Sequence, residues 1–304
     1  MKRVLTDSPV LAVDIGGTKV ALAVVSEDGA ILARDQIPTP RLAPEDAARE
    51  ILDRASVLTD AHRVAACGLV LPAVVNEQRI VWAAESVAGW TGLPLAHLAT
   101  RALGVPSYVE FDGYAATLGE FWQGHGRGHR DLAIVIVGTG IGAGIVHAGR
   151  LYRGSTGVAG GIGWMRFPTG NDLGPRLEEV ASGPAILAAA RTADPTASYL
   201  DTQAVFVAAS RGDPAAQGAV RRAMLALTAG VGTIVALLAP EVVVLGGSVG
   251  VRDETVSAVR AGLADATQPF AAPTVRIEPS ALGSLSSLYG AAYLALQVLH
   301  GKEP

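Results

Sequence analysis

Short apolar runs, each closed by glycine, proline or an acid, recur along the chain and predict buried β-strands at 10–13, 20–25, 31–37, 64–70, 80–82, 106–110, 132–137, 145–147, 242–245 and 275–277. Longer stretches with helical spacing alternate with them, at 44–60, 94–98, 115–122, 177–191, 215–238, 255–266 and 284–299. Pro44-Glu45-Asp46 puts proline and acids in a first helical turn, Asp213-Pro214 offers an N-cap followed by a first-turn proline, and Ser182-Gly183-Pro184 interrupts 177–191. Strands alternating with helices predict an α/β fold.

One pattern occurs twice. Asp14-Ile15-Gly16-Gly17-Thr18-Lys19 joins two strands through a glycine bend, and Gly138-Thr139-Gly140-Ile141-Gly142-Ala143-Gly144 does so again about 120 residues later. The repeat implies two related α/β halves, 1–123 and 124–285, meeting at the glycine-rich basic loop 124–130, each offering one phosphate-binding hairpin to a shared cleft. Glycines permit positive φ and close backbone approach to a phosphate, while Thr18 and Lys19 add a hydroxyl and a charge. Asp14, at a strand end, is placed to hold Mg²⁺ through water. Either stretch alone is also an ordinary hairpin; the second copy favours the phosphate reading. Asp112 stands where strand 106–110 passes into helix 115–122, the edge on which α/β folds place their chemistry, although an acid there also suits a helix cap. Gly246-Gly247-Ser248 opens directly from a strand and would let a flat ring lie against the backbone.

Composition narrows the class. With 304 residues, 50% hydrophobic and 17% charged, the chain can build two cores. No stretch of about 18 apolar residues runs free of glycine, proline or charge, so no membrane span is expected. A net charge of -4 and a pI near 5.9 argue against nucleic acid as a partner. The first residues lack the features of a signal peptide, which sets the expectation of a cytoplasmic protein. The single cysteine, Cys67, lies in an apolar run and is expected to be buried and inert; it permits neither an internal disulfide nor a multi-cysteine zinc site. His97, His125 and His129 read as surface residues rather than metal ligands.

These pieces, in this order, resemble the ROK family of bacterial sugar kinases and repressors, within the sugar kinase, Hsp70 and actin superfamily. The resemblance spans 10–299. It rests on the two hairpin motifs, Gly89-Trp90, Glu110-Phe111-Asp112, Leu118-Gly119-Glu120, Gly157-Val158-Ala159-Gly160, Leu177-Glu178 with Ala181-Ser182-Gly183, Pro240-Glu241 with Gly246-Gly247, and Tyr289-Gly290-Ala291-Ala292. It implies two RNase H-like (actin-like ATPase) domains with a cleft between them, the final helix, about 286–300, packing back on the N-terminal domain. It further implies that Gly16, Gly17, Thr18, Lys19, Gly138, Thr139, Gly140 and Gly142 hold the phosphates of ATP, that Asp14 serves Mg²⁺, that Gly246, Gly247 and Ser248 lie by the adenosine, and that Asp112 is the general base. A homodimer is expected.

The substrate side departs from the family pattern. Family sugar kinases usually read Glu-Asn-Asp-Ala-Asn where this chain has Glu110-Phe111-Asp112-Gly113-Tyr114, and Ala-Gly-Glu-x-Gly-His where it has Ala159-Gly160-Gly161-Ile162-Gly163-Trp164. Ser86 stands where asparagine is common, and the loop 169–176 replaces the family's zinc-binding cysteines, so no zinc site is expected. The expected acceptor residues are Ser86, Glu110, Phe111, Gly161, Trp164 and Glu178, a set with fewer hydrogen bonds and more flat apolar surface. A hexose hydroxyl buried there without a partner would cost about 1–3 kcal/mol. The expectation is therefore an ATP-dependent kinase of an atypical sugar or sugar-like polyol, a cyclitol or a modified or glycosylated sugar, that turns glucose over weakly. The alternatives are a catalytically silent ligand-binding relative, disfavoured by retention of Asp14, Asp112 and both hairpins, and an ordinary hexose kinase. A repressor would need a helix-turn-helix ahead of the first strand, where only about nine residues stand.

Overall fold

The computed structural model describes residues 8–168 and 172–301, in two compact units. One comprises the chain to Arg127, Arg150–Val158 and the chain from Ser284; the other comprises Gly128–Gly149 and Ala159–Gly283.

The first unit opens with β1 (Val10–Ile15), β2 (Lys19–Val25), β3 (Ile31–Pro38), α1 (Pro44–His62), β4 (Cys67–Leu71), β5 (Ala73–Asn76), β6 (Arg79–Ala83), α2 (Leu95–Leu103), β7 (Ser107–Phe111) and α3 (Asp112–Gln123). Its main sheet has the order β3-β2-β1-β4-β7, with β1, β2 and β3 antiparallel and β4 and β7 parallel to β1. Both faces are covered, which is why β1 reads as an unbroken apolar run: Leu11, Val13 and Ile15 enter one core with α1 and α2, while Val10 and Ala12 enter another with α3 and the closing helix. Helix α1 buries Ala47, Ala48, Ile51, Leu52 and Ala55 along one stripe and stops at Arg63, which is left-handed at φ 52. Cys67 is fully buried, and burial pushes its thiol far above the ordinary range.

Strand β5 is absent from the sequence reading because Pro72 looks like a terminator. Instead β5 follows it at once and pairs with β6 around Glu77 and Gln78, both left-handed, at φ 47 and 62, without a glycine to mark the turn. Gln78 Oε1 accepts the Val109 N–H at 2.8 Å and so holds the hairpin to β7.

The chain continues through β8 (Leu132–Val137), β9 (Ile141–His147), β10 (Arg150–Leu151), α4 (Glu178–Ala181), α5 (Gly183–Ala193), α6 (Thr202–Ser210), α7 (Pro214–Leu238), β11 (Val242–Gly246), α8 (Gly247–Gly250), α9 (Asp253–Ala266), β12 (Arg276–Pro279) and α10 (Ser286–Leu299). The second sheet runs β10-β9-β8-β11-β12, with β8–β9 antiparallel and β11 parallel to both β8 and β12. The order, and the sense of β9, β8, β11 and β12, repeat those of the first sheet, so the recurring hairpin marks a duplicated sheet rather than an isolated motif. Asp213 caps α7, accepting the Ala216 N–H at 2.7 Å. Among the described residues α7 alone is long and apolar enough to cross a membrane; 50% of that stretch is buried, with Leu227, Val231 and Val235 in the core. Helix α6 lies outside the sequence reading although Asp201 caps it, accepting the Ala204 N–H at 2.8 Å.

Helix α10 belongs to the first unit and lies on α3 and β4 at backbone contact. A Cβ on Gly290 would sit 1.7 Å from the Ala115 carbonyl oxygen, one on Gly119 2.1 Å from that of Ser286, and one on Gly68 1.9 Å from that of Ala291. No side chain fits at these three crossings.

Candidate active site

In the first unit the carboxyl ends of the parallel strands β1 and β7 share one sheet edge, and each presents an aspartate there: Asp14 in β1, and Asp112 as the first residue of α3. Asp112 caps no helix, because α3 takes Phe111 as its N-cap and makes no side-chain capping bond. Desolvation raises Asp112 to about 6 against a lowering pull from the Gly113 N–H. Desolvation, with the Asp112 charge adding to it, raises Asp14 to about 7, while Lys19 pulls the other way. Two water-poor carboxylates in one electrostatic neighbourhood form a donor set that suits a hard cation.

The raised pKa of Asp14 is a stability statement. An acid that binds its proton more tightly folded than unfolded weakens the fold as pH rises from its unfolded value of 3.8 through about 7. At about 1.4 kcal/mol per unit, the ceiling is about 4 kcal/mol. Asp14→Asn is expected to raise the Tm of the nucleotide-free protein by a few degrees at pH 8 and to leave it unchanged at pH 4; equal Tm at both pH values would show that Asp14 is not desolvated. Mg²⁺ should narrow the difference at pH 8.

The bend after β1 exposes Gly17, Thr18 and Lys19, with the Gly16 N–H donating to the Lys19 carbonyl at 3.0 Å. Gly17 abuts the Ser86 Cβ so closely that an added Cβ would lie 2.6 Å from it.

Glu110 and Phe111 depart from the expectation. The Glu110 carboxylate is committed: Oε1 accepts the Phe111 N–H at 2.8 Å, and Oε2 accepts from Arg153 Nε at 2.9 Å and Nη2 at 2.6 Å. Three of the carboxylate's acceptor positions are thus taken within the unit, which leaves little of it for a ligand hydroxyl. The Phe111 ring lies over Gly113 and meets Tyr114 edge-on at 5.3 Å, so part of its flat surface is spent inside the unit.

In the second unit the bend 138–140 follows β8, and Gly183, at the start of α5, donates its N–H to the Gly138 carbonyl at 2.8 Å. Gly247 is left-handed at φ 78, and a Cβ there would lie 2.4 Å from the Val137 carbonyl oxygen, so glycine is required. The Gly246-Gly247-Ser248 stretch is not an open loop: Gly246 ends β11 and Gly247 begins α8, which leaves Ser248 exposed.

The glycines of the two bends do not owe their place to left-handed geometry, contrary to expectation, since none of Gly16, Gly17, Gly138, Gly140 and Gly142 lies in that region. Added Cβ atoms on Gly138 and Gly142 would meet nothing within 4 Å. The fold does not need glycine at those two positions; what glycine provides is bare backbone beside open space.

Glu178 Oε2 would lie 3.6 Å from a Cβ on Gly140 and 3.2 Å from one on Gly163, which places this carboxylate between the second bend and the turn ending in Trp164. Arg176 pairs with Glu178 at 3.1 Å and stacks its guanidinium 4.4 Å from the Trp164 ring centroid. Trp164 is 69% exposed, but that stacked face is occupied, so the expected bare apolar platform is one-sided. Gly161 is exposed at the head of this turn. The loop 169–176 falls partly outside the described residues; from Asp172 onward it returns to a bridge between Arg166 and Arg176. Arg153, Arg176 and Gly183 are additions to the predicted set. Only Gly183, in its Ser-Gly-Pro helix start, carries a local sequence signal.

The profile of the ROK family matches residues 10–298. The chain belongs to the ROK family. A glucokinase from Streptomyces coelicolor is 33% identical over 80% of this chain and 82% of its own length. An N-acetylmannosamine kinase from Escherichia fergusonii is 32% identical over 86% of this chain and 90% of its own. Among solved structures, a ROK hexokinase from Thermus thermophilus superposes with a TM-score of 0.85 at 28% identity, covering 96% of this chain and 99% of that one. A ROK family glucokinase from Streptomyces griseus, solved with glucose and AMPPNP, gives 0.74 at 29%, covering 95% and 100%. The duplicated sheet is that of the family's actin-like ATPase fold.

Proposed function

We propose that this chain is an ATP-dependent sugar kinase that transfers the γ-phosphoryl group of ATP to a hydroxyl of a modified sugar or sugar-like polyol, with Asp112 as general base. The reading rests on the desolvated pair Asp14 and Asp112, on the sheet edge that bears the first glycine bend, in a chain whose named relatives are sugar kinases. A sugar hydroxyl is a poor nucleophile near neutrality. A carboxylate titrating near 6 is ionised at pH 7 yet basic enough to take the hydroxyl proton as the phosphoryl group moves. Asp14 would hold Mg²⁺, which when bound neutralises phosphate charge. The bends at 16–19 and 138–142 would hold phosphate oxygens on backbone N–H groups, helped by Thr18, Lys19 and Thr139, with Gly246, Gly247 and Ser248 beside the adenosine.

Mg·ATP is expected to raise the Tm, since saturating ligand at about 100 times its Kd adds about 2.7 kcal/mol. Gly140→Val should remove that protection while leaving the ligand-free Tm within a few degrees, because the nearest atom to a Cβ there is the movable end of Glu178 at 3.6 Å. Protection of wild type by no nucleoside di- or triphosphate would overturn the kinase reading.

For the acceptor, Phe111 and Trp164 in place of an amide and an imidazole, together with Gly161 in place of a glutamate, favour a ring bearing an apolar or modified face over a fully hydroxylated hexose. ADP release, screened over hexoses, amino sugars, glycosides and cyclitols, tests this. Efficient phosphorylation of free glucose would overturn the acceptor assignment and leave the kinase assignment standing.

A further inference from the structure

We propose that Arg153 and Glu110 form a positioning pair that sets the strand-to-helix corner carrying Asp112, and that Glu110 does not contact the acceptor. This rests on the assignment of Asp112 as the base. Glu110 is the last residue but one of β7, and its side chain is 7% exposed. Its Oε1 accepts the N–H of Phe111, the residue between Glu110 and Asp112, while Oε2 takes both Nε and Nη2 of Arg153. The fork of the guanidinium orients the carboxylate, and the carboxylate holds the N–H of the Glu110–Phe111 peptide, the one immediately before the link to Asp112 at the first position of α3. From the other side of the corner the Ser287 hydroxyl donates to the Asp112 carbonyl at 3.3 Å.

The arrangement suits positioning better than binding. A glutamate that grips a hydroxyl would turn an uncommitted oxygen to the site, whereas here each oxygen already accepts from the unit itself, Oε2 twice, and the side chain is buried. A salt bridge serving only to join the segment 150–158 to β7 would not need a second oxygen turned back onto the neighbouring peptide. A cavity of about 260 Å³ borders the pair and is lined also by Gln78, Tyr108 and Ser155. It is large enough to admit a guanidinium ion, so the missing half of the pair can be supplied from solution.

The test is Arg153→Ala, with Arg153→Lys as the milder variant should the first fold poorly. For Arg153→Ala, kcat with the best acceptor from the screen is expected to fall about 10- to 100-fold, the usual cost of small misplacement of a reacting group, with the acceptor KM moving less than about threefold. Guanidinium chloride in the tens of millimolar should restore much of that loss, and urea at the same concentration should not. Arg153→Lys, which keeps the charge without the fork, should lose about tenfold. Independently of turnover, the Phe111 amide should lose hydrogen-exchange protection in Arg153→Ala and regain it with guanidinium. A kcat within about twofold of wild type, a loss carried by KM alone, or an unchanged Phe111 amide would each overturn the positioning pair. If wild type phosphorylates no acceptor, the kinase reading falls, and the Phe111 amide still decides whether the pair holds the corner.

Discussion

Asp112→Asn is expected to lower kcat by about 10²–10⁴ while leaving the Kd for Mg·ATP within about threefold, because asparagine keeps size and hydrogen bonding but cannot take a proton. The wild-type profile should carry the same signature. Asp112 acts only when ionised, and burial holds it at about 6 with Asp14 at about 7, so kcat/KM should be level above neutrality and fall as pH drops through 7 to 6. An Asp112 at its ordinary value would place that fall near pH 4. Turnover by Asp112→Asn within tenfold of wild type would remove this residue from the chemistry, as would a level profile down to pH 5.

The largest stability effect is expected at the seat of α10. Gly290→Val should destabilise the protein by about 3 kcal/mol or more, because even its Cβ would lie 1.7 Å from the Ala115 carbonyl oxygen, and backbone on both sides leaves no flexible end to move aside. For a chain of this size that is a fall of roughly 6 °C or more in Tm. Because Ser287 donates to the Asp112 carbonyl from the same helix, loss of turnover should precede global unfolding on heating. Gly218→Ala is the control: it lies inside α7, outside the left-handed region and with nothing within 4 Å of an added Cβ, and should gain about 0.5–1 kcal/mol. A Gly290→Val protein with wild-type Tm would mean that α10 does not ride on α3 at backbone distance.

Much of the fold was legible because it is written locally. Apolar runs mark strands covered on both faces, and Asp213-Pro214 marks the start of α7 by a bond that Asp213 does make. The two glycine bends, read as repeats, correspond to two sheets of identical strand order. Where an element was missed, the local signal was incomplete or unused: Pro72 does end β4, but β5 follows it at once in a separate two-stranded sheet, and Asp201 caps a helix that its sequence only hints at.

Sequence alone determined the α/β class, the duplication, the position of Asp14 and Asp112 at strand ends and the family, since each depends on residue type and on spacing within a few tens of residues. Tertiary structure decided what those side chains do once surrounded. It raised both aspartates by removing water, spent both oxygens of Glu110 on Phe111 and on Arg153, 43 residues further along the chain, and covered one face of Trp164 with Arg176. Desolvation and hydrogen-bond partnership are properties of neighbours brought together by the fold, so no window of sequence contains them. The glycines show the division most plainly. Gly140 and Gly290 are the same letter, yet one borders open space beside Glu178 and the other lies against the Ala115 backbone, and only the packing of the chain tells them apart.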